Sequence, residues 1–328
     1  MSSLNCLIRT DASLEEGAGH LMRCRALAEH LLASGWEVNF ASLHELEQQE
    51  FKSHKLTSSQ KDAEETSDLA NSTKADFLIL DGYKFDASYQ SRLNLNSSKL
   101  LVIDDHGYCN NHLANIVVNP TPSKLDESGV PKYLQGYEYC LLRNEFLNKR
   151  ANQLNKIEKV KKVLVCLGGS DKDNFTATII ESLNELGRKD LEVTVILGAF
   201  NPNSQSLKDL AQPNIKFKNN ISNMAEEITK NDLLIIAGGT LVWEAAVLGT
   251  PALAVSIADN QTEVLKKLDG KTLRFLGESA ELFKPKLSSL LEESLNSVDS
   301  LNILAQSAYK MIDGKGRERI EQEMRNHV

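Results

Sequence analysis

The sequence predicts an α/β protein with two doubly wound, Rossmann-like domains that face a cleft. Three observations favour this fold class. Continuous apolar runs, which are typical of parallel strands buried on both faces, alternate with helix patterns. This alternation starts twice, at residues 4–34 and at 162–187, and each start combines a strand, glycines and a helix. At 328 residues, the chain is also about twice the usual length of one domain.

In the first half, strands and a helix are predicted where apolar residues recur at the matching spacing. The helix predicted at 20–34 ends at Ser34-Gly35, a common signal for the end of a helix. Residues 52–75 are polar and weakly patterned, which favours a loop with a marginal helix. The strands predicted in this half are 4–9, 37–42, 77–81, 100–105 and 116–119.

A polar, charged stretch at 148–162 separates the halves, so we predict domains at 1–150 and 151–328. The second half has predicted strands at 162–169, 191–198, 215–217, 232–239 and 252–257, and predicted helices at 174–187, 222–229, 240–248 and beyond 278. Ligands of doubly wound sheets bind beyond the carboxyl ends of the strands. The loops that follow the strands are therefore the candidate sites.

Composition and charge exclude several classes of protein. The net charge of −8 and the pI near 5.5 argue against a basic surface for nucleic acid or anionic membrane. The N-terminus lacks a signal-peptide pattern, and no apolar run reaches the length of about 18 residues that a membrane span needs. Cys24, Cys140 and Cys166 lie in apolar segments, and the five cysteines show no metal-type spacing. We therefore expect buried free thiols and a cytoplasmic protein.

The loop after the first strand, RTDASLEEGAGHLMR at 9–23, leads into the predicted helix. Gly17 and Gly19 can adopt positive φ and let a ligand approach the backbone. The dinucleotide-binding pattern fails because Met22 occupies its third glycine position. His20 lies in the first helical turn, where the helix N-terminus disfavours the charged imidazole and suits a neutral general base. Alternatively, His20 caps the helix or hydrogen-bonds the loop.

A second candidate site lies in IIAGGTLVWEAAVLGTPALAVSIADNQ, at 235–261. After Gly239, Thr240 can N-cap a helix whose free N–H groups favour an anion such as a diphosphate. Glu244, one turn into this helix, can accept hydrogen bonds from both hydroxyls of a ribose; alternatively, it only favours the helix dipole. Two more loops that follow strands carry Gly169 with Ser170, and Asn260 with Gln261.

Two polar loops in the first half remain open in their interpretation. VIDDHGYCNNH at 102–112 contains acids, histidines and a cysteine, but its spacing fits no established metal motif, so we predict no metal site. LDGYKFD at 80–86 places Tyr83 after a strand and therefore at the cleft. Alternatively, Tyr83 packs at the end of that strand.

Several segments together resemble one family, the UDP-2,4-diacetamido-2,4,6-trideoxy-β-L-altropyranose hydrolases of pseudaminic acid biosynthesis. The segments run in family order from residue 8 to residue 320, and the block R-x-D-A-S…G-x-G-H-x-x-R is specific. They are IRTDASLEEGAGHLMRCRALAEHL, LDGY, VIDD, LLRNEF, LGGSDKDN, AGGTLVWEAAVLGTPAL, ADNQ and MIDGKGRERI. The motifs of the second half are shared more broadly with glycosyltransferases of the GT-B fold, so the resemblance implies that fold.

The resemblance implies that His20 is the general base that activates water for attack on the anomeric carbon, which is inverted as UDP leaves. It also implies that Tyr83 lies beside the sugar, Glu244 at the ribose and Met224 beside the uracil. Arg23, one turn after His20, is expected at the sugar or the phosphates. The other residues expected to bind substrate are Asp11, Gly17, Gly19, Gly169, Ser170, Gly239, Thr240, Asn260 and Gln261.

We therefore expect a monomeric enzyme that takes a small-molecule UDP-sugar, with no cofactor, no metal ion, no nucleic acid and no membrane partner. A GT-B glycosyltransferase with a UDP-sugar donor is the alternative, because the fold and the UDP site are shared. The first half shows no apolar or basic patch for a membrane-bound acceptor, which favours water. A protein that only binds a nucleotide sugar is a third interpretation, but it leaves His20 without a task.

Overall fold

Two parallel β-sheets, connected by helices, form the protein in its computed structural model. The structure describes residues 3–12, 19–46, 50–105, 107–109, 111–121, 132–168, 171–198 and 201–328, without the side chains of 280–283. Contacts divide the chain into a first unit, Met1–Arg143 with Gly314–Val328, and a second unit, Asn144–Asp313. Each unit contains one sheet, which confirms the predicted α/β class with two doubly wound sheets.

The first unit is built on a seven-stranded sheet within its described residues. Its strands are β1 (Asn5–Thr10), β2 (Glu37–Ser42), β3 (Lys52–Lys55), β4 (Phe77–Asp81), β5 (Lys99–Ile103), β6 (Ile116–Asn119) and β7 (Lys132–Gln135). Its helices are α1 (Gly19–Ala33), α2 (Asp62–Ser72), α3 (Ala87–Ser91) and α12 (Gly316–Asn326), with a 3-10 helix at Tyr137–Tyr139. The strand order is β3-β2-β1-β4-β5-β6-β7, and every pair is parallel.

The strand order of this sheet reverses between β1 and β4. β1 pairs with β2 on one side and with β4 on the other, and Thr10 lies opposite Asp81 in the second pair. The carboxyl ends of the two central strands are therefore level. Such a reversal is where doubly wound sheets bind their ligands, so the loops after β1 and β4 are well placed for a site.

Helix α1 confirms the prediction from apolar spacing almost to the residue. Cys24, Leu27 and Leu31 are fully buried on one face of the helix. The helix ends at Ala33, and Gly35 follows with φ +87°, a backbone conformation that favours glycine. The helix begins at Gly19, so His20 stands in its first turn, as predicted.

The last helix, α12, packs in the first unit rather than in the second. Ile320 and Met324 are fully buried in the same core cluster as α1. The Glu321 carboxylate accepts a hydrogen bond from Trp36 Nε1 at 3.1 Å. A Cβ at Gly316 would lie 2.3 Å from the carbonyl oxygen of Cys140, so only glycine permits this approach. The sequence predicts this segment in the second domain, because the local pattern of α12 does not reveal its distant partners.

The second unit is built on a six-stranded sheet within its described residues. Its strands are β8 (Lys162–Cys166), β9 (Glu192–Ile196), β10 (Ile215–Lys218), β11 (Leu233–Ala237), β12 (Ala252–Val255) and β13 (Arg274–Gly277). Its helices are α4 (Asn144–Lys149), α5 (Phe175–Glu185), α6 (Ser204–Leu210), α7 (Met224–Thr229), α8 (Leu241–Leu248), α9 (Asp259–Leu268), α10 (Ala280–Asn296) and α11 (Val298–Met311). The order is β10-β9-β8-β11-β12-β13, which reverses between β8 and β11.

The structure differs from the sequence prediction mainly at polar segments. Residues 52–75 contain β3 as well as α2, and β3 is polar because it is an edge strand with exposed side chains. Residues 258–261, predicted as a loop, include the first turn of α9. All five cysteines are free and buried. Among the described helices, none is both long enough and apolar enough to span a membrane.

Candidate active site

The imidazole of His20 is held by a buried carboxylate. Its Nδ1 lies 2.7 Å from Oδ1 of Asp81, which ends β4 and is fully buried. Because a carboxylate can only accept, we assign the imidazole proton to Nδ1, which leaves a lone pair on Nε2. The His20 side chain is 10% exposed, and it lines a pocket of the first unit. A buried acid thus fixes the orientation in which His20 can act as a base.

Arg23 completes what we call the His20 network: His20, Arg23, Asp81 and Asp105. Arg23 donates to Asp81 from Nε at 2.6 Å and from Nη2 at 2.5 Å, and its Nη1 contacts Asp105. Nη2 also lies 2.9 Å from His20 Nδ1, since both groups donate to the same oxygen. Burial raises the pKa of Asp81, but Arg23 and His20 outweigh it and hold this pKa well below its usual range. Asp81 is therefore ionised at neutral pH.

The arrangement of Arg23 does not favour its predicted contact with the sugar or the phosphates. Its guanidinium is buried and bound by two carboxylates, one at each end of the donor fork. Arg23 instead fixes Asp81 and compensates its charge. This structural role of Arg23 depends on contacts with Asp81 and Asp105, which are distant in the sequence. The spacing of residues along α1 therefore does not reveal it.

A second charged group, the Lys84 network, consists of Arg9, Asp11, Asp62 and Lys84. Arg9 is fully buried and donates to Asp62 at 2.9 and 2.6 Å and to Asp11 Oδ2 at 2.8 Å, and Lys84 Nζ contacts the same Asp11 oxygen. Burial raises the pKa of Asp11, but Arg9 and Lys84 hold it below its usual range. A hydroxyl and a backbone N–H occupy the other Asp11 oxygen, each at 2.8 Å. Both carboxylate oxygens of Asp11 are therefore engaged within the first unit.

Tyr83 stands at the edge of the pocket rather than inside the core. Its side chain is 48% exposed, and its ring meets the His20 ring edge to face at a centroid distance of 4.7 Å. This position agrees better with a contact to substrate than with packing at a strand end. The pocket is lined by Asp11, His20, Asp81, Gly82, Tyr83, Lys84 and Phe85.

The acids and histidines at 102–112 stabilise their own loop. Asp104 accepts backbone hydrogen bonds from residues 107–109 at 2.6, 3.1 and 3.3 Å, and it lies 2.9 Å from Nε2 of His112. Asp105 belongs to the His20 network, and His106 lies outside the described residues. In the part of the chain that is described, no three His, Cys, Asp or Glu side chains are arranged to hold a metal ion.

In the second unit, the two glycines after β11 play different roles. A Cβ at Gly238 would lie 2.6 Å from Leu265 Cδ1 and 3.0 Å from Gln261 Cβ, so this glycine permits the close approach of α9. At Gly239, a Cβ would meet no described atom within 4 Å, which leaves room beside the start of α8. Thr240 occupies the N-cap position as predicted, but its side chain makes no capping hydrogen bond.

Glu244 faces the sheet from the first turn of α8. It is buried, and its charge adds to the effect of burial in raising the pKa of Cys166 at the end of β8. The loops after neighbouring strands β8 and β11 thus approach each other here. The Glu244 carboxylate therefore lies near the carboxyl ends of two central strands, where doubly wound sheets bind their ligands.

The other residues of this unit that are predicted to bind substrate differ in their surroundings. Gln261 Oε1 accepts a hydrogen bond from the backbone N–H of Ile257 at 3.0 Å, which ties the start of α9 to the loop after β12. Asn260 is exposed, and Met224 begins α7 with its N–H bound to Glu145 Oε2 at 3.0 Å. Gly169 and Ser170 lie outside the described residues.

One of the two glycines predicted to adopt a positive φ near the start of α1 can be compared with the structure. Gly19 is the first residue of the helix and does not adopt a positive φ, so the predicted conformation is wrong at this position. Gly17 lies outside the described residues. Five residues of the two networks were not predicted as site residues: Arg9, Asp62, Asp81, Lys84 and Asp105. A signal was available only for Asp81 and Asp105, which are acids at the ends of apolar runs.

Comparisons with known proteins agree with this architecture. Residues 163–310 match the glycosyltransferase family 28 C-terminal domain. The crystal structure of Acinetobacter baumannii MurG superposes with a TM-score of 0.69 at 16% identity, covering 98% of this chain and 99% of that chain. The predicted GT-B fold is thereby confirmed.

Two relatives are similar over most of this chain. A Campylobacter jejuni protein, named UDP-2,4-diacetamido-2,4,6-trideoxy-β-L-altropyranose hydrolase, is 27% identical over 79% of this chain and 93% of its own length. An uncharacterised protein of Methanocaldococcus jannaschii is 29% identical over 83% of this chain, which spans only 60% of that relative. The resemblance found in the sequence is thus confirmed at the level of a distant relative.

Proposed function

We propose that the protein is an enzyme that hydrolyses a UDP-sugar to free sugar and UDP. The observation that carries this proposal is the His20–Asp81 pair, which presents Nε2 of a histidine in the pocket of the first unit. The name of the Campylobacter relative supports the substrate class and makes its diacetamido-trideoxy-altropyranose the first candidate sugar. Such a reaction serves pseudaminic acid biosynthesis.

In this mechanism, His20 Nε2 accepts a proton from water while the water oxygen bonds to the anomeric carbon. The bond between that carbon and the phosphate oxygen breaks, and its electron pair leaves with UDP. Attack from the side opposite the leaving group inverts the anomeric centre. Asp81 stabilises the imidazolium that forms, because it accepts the Nδ1 hydrogen bond and is negatively charged.

The second unit supplies the UDP site in this proposal. The N-terminus of α8 offers backbone N–H groups and a partial positive charge to the diphosphate, and Gly239 leaves space for it. The Glu244 carboxylate accepts hydrogen bonds from the ribose hydroxyls, and Met224 borders the uracil. The other residues proposed to contact UDP or sugar are Gly17, Gly19, Tyr83, Gly169, Ser170, Thr240, Asn260 and Gln261.

The test is to incubate the purified protein with UDP-sugars in the absence of an acceptor and to measure UDP and free sugar. Equal release of both supports the hydrolase. Tight binding without release would overturn the proposal. Proton NMR of the first product would show whether the anomeric centre is inverted.

Replacing His20 with asparagine tests its role as the base. His20→Asn keeps the fold and the affinity for UDP but lowers turnover by about 10²–10⁴-fold, the range for lost acid–base catalysis. The wild-type rate decreases at low pH, because a protonated imidazole cannot accept a proton from water. The pH profile of the variant lacks this decrease. His54→Asn, on β3 of the same unit and outside the pocket, is the matched control. Near-normal turnover of a well-folded His20→Asn protein would contradict the assignment.

A GT-B glycosyltransferase is the second candidate function. The match of residues 163–310 to a glycosyltransferase domain favours it. In that case His20 would deprotonate an acceptor hydroxyl instead of water. Release of UDP only after an acceptor alcohol is added would identify the protein as a transferase.

A further inference from the structure

Lys84 belongs to the pocket of the first unit, but the proposed reaction gives it no task. It follows β4 in the loop that carries Tyr83, and it lines the same pocket as His20. Its Nζ contacts Asp11 and lies 3.2 Å from Oδ2 of Asp62. Its exposure, the charge of its surroundings and its remaining hydrogen-bond donor all indicate a contact with a ligand.

Within the Lys84 network, the Lys84 side chain is more exposed to solvent than the carboxylates that it contacts. The Lys84 side chain is 34% exposed, against 3% for Asp11 and 4% for Asp62. Nζ lies 5.3 Å from the centroid of the Phe85 ring, which supports it from one side. The ammonium is therefore held in one place at the surface of the pocket.

The charges around the pocket favour a neutral ligand group over an anionic one. The Lys84 network contains two cations and two carboxylates, so its charges balance. The His20 network has one permanent cation, Arg23, and two carboxylates, so it is negative while His20 is neutral. A carboxylate entering this pocket would lose its hydration and meet no uncompensated positive charge. A neutral acceptor oxygen avoids that penalty.

One donor of Lys84 remains for such an oxygen. An ammonium group has three N–H donors and no acceptor. Among the described residues, Nζ donates a hydrogen bond to Asp11 and forms an ion pair with Asp62 at 3.2 Å, so at most two of its N–H groups point at carboxylates. At least one N–H is therefore available to a group that enters the pocket beside His20.

We propose that Lys84 determines sugar specificity by donating a hydrogen bond to a neutral oxygen of the sugar, either a hydroxyl or the carbonyl oxygen of an N-acyl group. This inference rests on the proposed function, because it assigns the sugar to the pocket that contains His20. It narrows the substrate class to sugars without a carboxylate. Lys84 is thus a binding residue for the sugar and has no part in holding UDP.

The test compares Lys84→Met with the wild type on four probes, chosen to vary the polar groups of the sugar. They are UDP-2,4-diacetamido-2,4,6-trideoxy-β-L-altropyranose, UDP-N-acetylglucosamine, UDP-glucose and UDP-glucuronate. We expect a neutral sugar to be the best substrate of the wild type. Lys84→Met lowers kcat/KM for this neutral sugar by about 10- to 100-fold, mainly by raising KM, as expected for one lost hydrogen bond from a charged donor. The affinity for UDP alone, measured by calorimetry, stays unchanged.

Lys132→Met is the matched control, since Lys132 is a partly exposed lysine of the same unit that lies 3.5 Å from Glu323. It should alter neither kcat/KM nor UDP affinity. If Lys84→Met does not fold, Lys84→Gln keeps a donor towards Asp11 and is expected to change kcat/KM in the same direction.

Three results would overturn the proposal. The first is an unchanged kcat/KM for the neutral sugar in a folded Lys84 variant, and the second is an equal loss of affinity for UDP alone. The third is a wild type that prefers UDP-glucuronate, with the substitution lowering kcat/KM chiefly for that substrate. If the wild type hydrolyses none of the four probes, the proposed function fails instead. Calorimetric binding of the same UDP-sugars then still tests Lys84.

Discussion

Asp81 shows how one buried side chain stabilises the first unit and orients the candidate base. It accepts from His20 and twice from Arg23 while fully buried, so its carboxylate compensates a cation that has little access to water. A carboxyl whose pKa is lowered in the folded state stabilises the protein above its unfolded pKa of about 3.9. That stabilisation is lost as the pH falls below this value. Asp11 and Asp62 also have lowered pKa values, so they act in the same direction.

We predict that the free energy of unfolding of the wild type falls steeply between about pH 4 and pH 2.5. Asp81→Asn lowers this free energy by about 3–5 kcal/mol at pH 7, because Arg23 loses its main partner, and it flattens the acid-induced decrease. Urea unfolding at several pH values measures both effects. Asp190→Asn is the control, since Asp190 also pairs with an arginine but is exposed, and little change is expected. A wild-type slope in Asp81→Asn would contradict this account.

Glu244 provides a residue-scale test in the second unit. If its carboxylate accepts hydrogen bonds from the ribose hydroxyls, Glu244→Gln weakens UDP binding by about 10- to 100-fold. The wild type should bind UDP more tightly than 2′-deoxy-UDP, and the variant should lose this preference. Calorimetry gives both affinities, and Glu181→Gln, an exposed glutamate paired with Lys284, is the control. Unchanged UDP affinity in Glu244→Gln would remove the ribose assignment.

At the residue scale, sequence reasoning could find His20 but not its partner. His20 has a local signal, because it follows glycines and starts a helix. Asp81 is 61 residues away and reads as one more acid at the end of an apolar strand. Its importance depends on β1 and β4 being neighbours, which the order of elements along the chain does not state. For the same reason, Arg23 was expected at the ligand rather than at two carboxylates.

At the scale of elements, the contact between α9 and the end of β11 can be tested at two adjacent glycines. Neither Gly238 nor Gly239 has a positive φ, so a substitution adds only the volume of a side chain. Gly238→Ala should lose about 1–3 kcal/mol of stability, because its Cβ would press on the buried Leu265. Gly239→Ala should leave stability unchanged or slightly raised. Thermal unfolding compares the two, and equal effects would show that α9 does not pack as described.

The elements predicted well are those whose pattern is set by burial on both faces. β4 was predicted as 77–81 and extends over those residues, because each of its five side chains is buried. β3, β7 and β13 were missed; each is a strand of four residues at the edge of its sheet, and β3 keeps polar, exposed side chains. The periodic signal that identifies central strands is therefore weakest where the sheet ends.

At the scale of the whole chain, the return of α12 to the first unit is the feature that local patterns could not predict. Glu321 and its partner Trp36 are 285 residues apart in the sequence. The helix pattern of α12 is readable, but it does not say which unit its apolar face covers. Its apolar face covers the first unit, because Ile320 and Met324 lie in one core cluster with residues of β1 and α1.

This arrangement predicts that a substitution near the C-terminus weakens the first unit. Ile320→Ala removes a fully buried side chain and should lower the stability of this unit by about 2–5 kcal/mol. The two tryptophans allow a specific measurement, because Trp36 lies in the first unit and Trp243 in the second. In a Trp243→Phe background, the urea transition followed by Trp36 fluorescence should move to lower urea. Ile303→Ala, at a side chain that is 65% exposed in the second unit, should leave that transition in place. If Trp36 reports the same transition in Ile320→Ala as in the parent, α12 does not stabilise the first unit.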